Sequence, residues 1–220
     1  MKKLELDIPL TYVTLKGNLI IPEEATGIVV FSHGSGSSRF STRNRMVAEL
    51  IQKQKIGTLL FDLLTVEEDS VYENRFNIDL LVSRLIETTE WLMNYNEAKD
   101  LPIGYFGAST GAASALRAAA YFGDTIKAVV SRGGRPDLAL SALHQVTAPT
   151  LLIVGGNDVP VIEMNKTAYD ELHCTKEMKI VAGATHLFEE PGKLSEVADL
   201  AISWYKNHLV TTQGASLNYF

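Results

Sequence analysis

Short apolar runs alternate along the chain with longer stretches in which apolar residues recur every three or four positions. A continuous apolar run is typical of a strand that is covered on both faces in a parallel sheet. The three-to-four-residue spacing predicts a helix with one buried face. The predicted strands are 27–32, 57–64, a run that begins at 103, 126–131, 150–155 and 178–181, and the predicted helices are about 41–54, 78–95, a run that follows 109, 160–172 and 194–205.

Three segments depart from this alternation. Residues 3–22 read as two antiparallel strands that end at Pro22, which predicts a hairpin at a sheet edge. A charged segment around Glu67 predicts a loop between a strand and a helix. The connection 132–149 has room for one short helix only, so no large lid is expected.

Strands that alternate with helices at this rhythm predict an α/β protein with a doubly wound, mostly parallel sheet. The 220 residues fit one domain, in which the polar stretch 211–220 is expected to be a loose tail. In such sheets, ligands bind beyond the carboxyl ends of the strands. Polar residues that directly follow different strands are therefore expected to share one edge of the sheet.

The segment Gly107-Ala108-Ser109-Thr110-Gly111 fits the pattern G-x-S-x-G between a predicted strand and a predicted helix. This pattern is typical of a nucleophile elbow, in which a strained turn exposes the serine hydroxyl above the sheet. Glycine is needed two positions before and after the serine because the strand and helix backbones cross too closely for a Cβ atom. Ser109 is therefore the candidate nucleophile.

A serine hydroxyl needs a base within hydrogen-bond reach and a third group that orients the base. His186 and Asp158 each follow a predicted strand, and the order Ser109, Asp158, His186 is that of elbow-containing hydrolases. Asp62 also lies at a strand end and is the second candidate for the acid. These residues predict a catalytic triad.

Two backbone N–H groups are expected to stabilise the negative charge that develops on the substrate oxygen. The sequence suggests the N–H of Thr110, directly after the nucleophile, and the N–H of Ser35, in the turn that follows the strand 27–32. His33 opens this turn and is expected to brace it or to contact substrate.

Four arginines fall on loops or helix starts at the predicted functional edge. They are Arg39, Arg43, Arg132 and Arg135. Arginine binds carboxylate and phosphate groups through paired hydrogen bonds. We therefore hypothesise a substrate that carries an anionic group, with solvated surface charge as the alternative.

Composition excludes several other functions. The net charge of −6 and the lack of a basic run argue against nucleic-acid binding. One cysteine, Cys174, and an N-terminus without the apolar core of a signal sequence predict a cytoplasmic protein. No apolar run approaches the length of a membrane span. No histidine or cysteine cluster predicts a metal, and Arg39 replaces the third glycine of a dinucleotide-binding pattern, so no cofactor is expected.

These residues resemble the α/β-hydrolase superfamily and, within it, the dienelactone hydrolase-like proteins, over about residues 27–205. The resemblance includes small bacterial hydrolases, some associated with phosphoribosyltransferases. It implies an eight-stranded sheet and a triad of Ser109, Asp158 and His186. The namesake enzyme carries cysteine at the nucleophile position, so simple esters are expected here as much as lactones. The segments that carry the resemblance are 31–39 with 43–45, 60–65, 131–137 and 154–158.

The sequence thus predicts a serine hydrolase that cleaves small carboxylic esters, thioesters or lactones through an acyl-enzyme on Ser109. An acyltransferase would show the same residues, and a noncatalytic binding protein that retained the fold is a further alternative. The chain is expected to act on small molecules as a monomer or a homodimer.

Overall fold

The computed structural model describes residues 1–209, and the predicted loose tail 211–220 lies outside the described residues. Its strands are β1 (Lys2–Pro9), β2 (Thr14–Ile21), β3 (Ile28–Ser32), β4 (Gly57–Phe61), β5 (Ile103–Ala108), β6 (Ile126–Arg132), β7 (Thr150–Gly155) and β8 (Lys176–Val181). Its helices are α1 (Thr42–Gln52), α2 (Val66–Asp69), α3 (Ile78–Asn94), α4 (Thr110–Phe122), α5 (Leu140–Leu143), α6 (Val159–Glu171) and α7 (Lys193–His208).

The eight strands form one sheet in the order β1-β2-β4-β3-β5-β6-β7-β8. Strands β3 to β8 are parallel, whereas β1 and β2 pair with each other, and β2 with β4, in the antiparallel sense. This confirms the predicted mostly parallel sheet of the α/β-hydrolase fold. The hairpin β1-β2 lies at one edge, as its alternating pattern predicted.

Helices cover both faces of the sheet because the parallel strands are apolar on both sides. In β3, Ile28 and Val30 face the core beneath α3 and α4, and Val29 and Phe31 face the core beneath α1 and α7. All five residues of β3 are buried. Both layers are therefore filled by side chains from the same strands.

The strand register places two connecting segments beside the end of β5. Ser32 of β3 pairs with Gly107, and Arg132 of β6 pairs with Ala108. The turn that follows β3 and the first residue after β6 consequently flank Ser109. The functional edge expected from the sequence is assembled by this register.

The segment predicted as a charged loop after β4 contains α2 and a 3₁₀ turn over Tyr72–Phe76. The Thr65 hydroxyl accepts the N–H of Glu68, and the Glu68 carboxylate accepts the N–H of Thr65. This capping box satisfies two backbone donors that a short helix would otherwise leave free. The spacing of Thr65 and Glu68 was the signal that the loop prediction overlooked.

Between β6 and β7 the chain forms a 3₁₀ turn over Pro136–Ala139 and the single helical turn α5. This agrees with the expected short connection. In the part of the chain that the structure describes, none of the helices combines the length and the apolar character that crossing a bilayer requires.

Candidate active site

Ser109 lies at the junction of β5 and α4 in a backbone conformation that side-chain-bearing residues seldom adopt, with φ of 52° and ψ of −121°. Its N–H donates to the Arg132 carbonyl at 3.2 Å, and its carbonyl accepts the N–H groups of Ala112 and Arg135 at 3.0 Å each. A strained residue persists where surrounding bonds fix it, and such residues cluster at functional sites. The turn has the geometry of a nucleophile elbow.

The two glycines of the elbow are required by packing. A Cβ atom on Gly107 would lie 2.4 Å from the Ala112 Cα atom, and a Cβ atom on Gly111 would lie 2.1 Å from the Ser32 carbonyl oxygen. Both distances are far below van der Waals contact. The steric reason inferred from the sequence therefore holds at both positions.

His186 and Asp158 meet although 28 residues separate them. The His186 Nδ1 atom lies 2.7 Å from Asp158 Oδ2, and the carboxylate is the more buried of the two groups, with 15% of its side chain exposed against 38% for the imidazole. Asp158 directly precedes α6, and His186 lies in the loop after β8. The contact fixes Nδ1 toward the acid and leaves Nε2 for a reacting group.

Ser109 and His186 line one cavity of about 260 Å³. Among residues 1–209 no hydrogen bond joins the Ser109 hydroxyl to the imidazole, so the two groups share the cavity without direct contact. Catalytic hydrogen bonds are often long before substrate is bound and tighten in the complex. The arrangement brings together all three residues of the triad that the sequence predicted.

The second acid candidate, Asp62, serves the neighbouring loop. It accepts the Arg39 N–H at 2.8 Å and pairs with the Arg39 guanidinium. The His186 imidazole instead contacts Asp158. The geometry favours Asp158 as the acid.

The candidate oxyanion donors belong to two segments that meet at Ser109, the start of α4 and the turn after β3. Thr110 begins α4, where the first N–H groups have no partner within the helix. Gly34 approaches so closely that a Cβ atom there would lie 3.1 Å from the Ser109 Cβ atom. The Ser35 N–H, expected to be free, donates to the Thr110 hydroxyl at 2.9 Å. A substrate oxygen would therefore have to exchange with this hydroxyl to reach Ser35.

His33 is buried, and both of its ring nitrogens have backbone partners. Nε2 accepts the Leu63 N–H at 3.1 Å, so the proton lies on Nδ1, which donates to the Gly34 carbonyl at 2.9 Å. Burial lowers the pKa of His33 and keeps the ring neutral. His33 thus braces the turn, the first of the two roles expected for it, and its nitrogens are not available to substrate.

The four predicted arginines divide into two groups. Arg39 pairs with Asp62, and Arg135 makes two hydrogen bonds of 2.8 Å to the Asp137 carboxylate, which raises the pKa of Arg135. Neither is among the residues that line the catalytic cavity. The expectation that all four arginines gather at one site is therefore not met by this geometry, because carboxylates close in sequence or space hold these two.

Arg43 and Arg132 do line the cavity with Ser109 and His186. Sequence reasoning missed Asn44, which is buried beside them and leaves its Oδ1 atom without a hydrogen-bond partner. The signal for Asn44 was its position directly after Arg43 in the first turn of α1, which faces the functional edge.

The chain is similar to proteins of a known family. The sequence model of the Dienelactone hydrolase family matches residues 15–209. A crystal structure of a dienelactone hydrolase from Anabaena variabilis is 54% identical, with a TM-score of 0.92 over 94% of this chain and 98% of that one. The esterase Est1E from Butyrivibrio proteoclasticus, 15% identical over 92% of this chain and 98% of its own, has a TM-score of 0.79 and shows the shared fold.

Among curated proteins, one from Mycobacterium tuberculosis, provisionally named a phosphoribosyl transferase, is 55% identical over 197 residues. The alignment covers 90% of this chain but 44% of that protein. The chain thus spans less than half the length of the curated relatives that it matches.

Proposed function

Because the chain belongs to the dienelactone hydrolase family, we propose that it hydrolyses small carboxylic esters, thioesters or lactones through an acyl-enzyme on Ser109. The observation that carries the proposal is the His186–Asp158 contact of 2.7 Å, together with the cavity that His186 and the strained Ser109 elbow both line. A hydrolase activity is also what the family and the 54% identical dienelactone hydrolase support.

In this mechanism, His186 Nε2 takes the proton of the Ser109 hydroxyl as the oxygen attacks the substrate carbonyl. The Asp158 carboxylate stabilises the resulting imidazolium. The tetrahedral intermediate collapses when the imidazolium gives its proton to the leaving alcohol, thiol or ring oxygen. Water, deprotonated by the same imidazole, then attacks the acyl-enzyme. The imidazolium gives this proton to the Ser109 oxygen as the carboxylic acid leaves, which restores the Ser109 hydroxyl.

The cavity suggests a small substrate. Its volume of about 260 Å³ lies below the range of about 300–1,000 Å³ typical of sites for drug-sized ligands. The short connection between β6 and β7 adds no covering domain. Esters with short acyl groups fit this space better than long-chain lipids.

The transferase name of the mycobacterial relatives describes proteins more than twice as long as this chain. The dienelactone hydrolase family model matches residues 15–209 of this chain, which is most of its length. We therefore do not extend a phosphoribosyl transfer to this chain, and hydrolysis remains the proposed reaction.

Covalent labelling tests the proposal directly. A fluorophosphonate probe should label the wild-type protein at Ser109, and Ser109→Ala should abolish both labelling and turnover of p-nitrophenyl acetate. Asp158→Asn should lower kcat by about 10³- to 10⁴-fold because the imidazole loses its orienting charge. Asp62→Asn, which alters the other candidate acid, is the matched control and should retain most of kcat in folded protein. Unlabelled wild type would overturn the proposal.

A further inference from the structure

Arg132 is the last residue of β6, and its carbonyl oxygen accepts the Ser109 N–H. Its side chain lines the catalytic cavity and is buried, with 7% of the residue exposed. The Nε and Nη1 atoms have no hydrogen-bond partner among the described residues. A guanidinium carries five N–H donors, and a buried donor without a partner costs free energy.

Arg43, which lines the same cavity, makes the charge of Arg132 less favourable. Burial and the positive charge of Arg43 together lower the pKa of Arg132 to about 10. Arg132 has no ion pair with a carboxylate among residues 1–209, and the Phe188 ring, 5.9 Å from its Cζ atom, is its aromatic neighbour. Arg132 remains charged at neutral pH in a site that does not compensate the charge.

Arg43 approaches the cavity from α1 and is only partly compensated. Its Nη1 atom lies 2.6 Å from Glu189 Oε1, whereas its buried Nε atom has no partner. The Glu189 carboxylate is largely exposed, so it screens the arginine pair weakly. The wall of the cavity therefore carries two guanidinium groups. The one carboxylate that pairs with them among residues 1–209, on Glu189, is exposed to solvent and balances their charge only in part.

Building on the proposed esterase function, we infer that the wall formed by Arg132 and Arg43 is a subsite for a phosphate monoester dianion carried by the ester substrate. The cavity that contains Ser109 also contains this wall, so one small molecule can place its carbonyl at the hydroxyl and its anion at the arginines. Arg132 is then the residue that determines which esters are selected.

Charge and shape favour phosphate over carboxylate. Because the exposed Glu189 carboxylate compensates Arg43 only in part, a dianion balances the charge of the two guanidinium groups more fully than a carboxylate does. The three terminal oxygens of a phosphate point in different directions and can accept from two guanidinium planes, but the two oxygens of a carboxylate match one planar fork. The bound state requires the Arg132 guanidinium to turn its unpartnered donors toward the cavity that it already lines.

A matched series of thioesters tests the inference. Three substrates share the acyl carbon skeleton and leaving group and differ only at the far end of the acyl chain, which bears a hydroxyl, a carboxylate or a phosphate. Wild type should favour the phosphate over the hydroxyl substrate by about 10- to 100-fold in kcat/KM, since hydrogen bonds to charged groups are the strong ones. The gain should lie mainly in KM.

Arg132→Gln should remove most of that preference, measured as the ratio of kcat/KM for the phosphate substrate to kcat/KM for the hydroxyl substrate of the same variant, while Arg132→Lys, which keeps the charge, should restore part of it. Arg45→Gln removes a positive charge from an exposed position on the same helix as Arg43 and should leave the preference unchanged. Inorganic phosphate should inhibit wild type competitively and Arg132→Gln much less.

The outcomes separate this inference from the proposed function. Turnover of the hydroxyl substrate with no preference for phosphate overturns the subsite and leaves the esterase proposal standing. A stronger preference for the carboxylate substrate overturns the assignment to phosphate. Absence of fluorophosphonate labelling and of turnover on all three substrates overturns the esterase proposal itself. Turnover of the hydroxyl substrate also reports whether Arg132→Gln has folded. If the variant has not folded, competitive inhibition of wild type by inorganic phosphate supports the subsite, and absence of that inhibition overturns it.

Discussion

Arg84 and Arg132 are equally buried, with 6% and 7% of each residue exposed. They differ in whether a carboxylate of the described residues compensates the charge. Arg84 on α3 donates to the Glu68 carboxylate at 2.5 Å, and a second carboxylate, on Glu87, lies 3.7 Å away. Arg132 faces another arginine instead. The Arg84 ion pair joins α3 to α2, whereas the Arg132 charge stays uncompensated in the cavity that contains the nucleophile.

This difference teaches that burial alone does not separate structural from functional arginines. A paired buried arginine stabilises the fold only as long as both partners remain. An unpaired one is a cost to the fold, and it is retained where a ligand supplies the partner.

Arg84→Met should lower the free energy of unfolding by about 2–4 kcal/mol, because it leaves the partly buried Glu68 carboxylate without its partner. Urea denaturation measures the change. The kcat of the folded fraction should stay that of wild type, since Arg84 lies outside the catalytic cavity. An unchanged urea midpoint would show that the ion pair does not hold α2 to the domain.

Arg132→Met should raise the free energy of unfolding by about 1–2 kcal/mol, because an apolar side chain replaces a buried charge that has no carboxylate partner among residues 1–209. The same urea series compares it with Arg84→Met, which should move in the opposite direction. A loss of stability as large as that of Arg84→Met would contradict the contrast between the two arginines.

The advantage of Arg132→Met should shrink at high pH. The pKa of Arg132 is lowered to about 10 in the fold and is higher when the chain is unfolded. Between these values the unfolded chain binds one more proton than the folded one, so wild-type stability gains from rising pH. Urea titrations of both proteins at pH 8 and pH 10.5 should therefore show a smaller difference at the higher pH.

His33 shows a third way to bury an ionisable group, which is to keep it neutral. Burial lowers its pKa, so below about pH 6.5 the unfolded chain binds a proton that the folded chain does not. Stability should therefore fall as the pH decreases from 6.5 to 5.5. His33→Gln should remove this part of the pH dependence, as followed by thermal unfolding. Parallel pH profiles of the two proteins would refute the assignment.

The smallest effect concerns Glu189, the carboxylate that pairs with Arg43. Glu189→Gln removes the partner of Arg43 and should tighten competitive inhibition by inorganic phosphate by about two- to fivefold. High salt should erase the difference because Glu189 is exposed. Weaker inhibition in this variant would mean that Glu189 orients Arg43 for the anion.

Much of the fold and of the triad could be predicted from the sequence because both depend on local patterns. The spacing of Gly107 and Gly111 around Ser109 reports a backbone crossing that excludes a Cβ atom. Residues that follow parallel strands must share an edge, which places Asp158 and His186 near each other. These inferences need strand order and direction but no side-chain detail.

The arginine pairings could not be predicted in this way. Arg39 and Arg43 lie four residues apart, yet Arg39 pairs with Asp62 and Arg43 pairs with Glu189 at the cavity that Arg132 also lines, and the difference depends on side-chain direction at the end of the sheet. The bond from the Ser35 N–H to the Thr110 hydroxyl likewise depends on how closely two loops approach. Helix α2 differs from these cases, since Thr65 and Glu68 form a readable capping box.

The Ser35–Thr110 bond has a consequence for the energetics of the proposed reaction. An ester carbonyl that takes up the Ser35 N–H must first displace the Thr110 hydroxyl, so one neutral hydrogen bond is traded for another and the ground state gains little. An alkoxide accepts the same donor far more strongly. The exchange therefore favours the transition state over the bound ester, which raises turnover without tightening the resting complex.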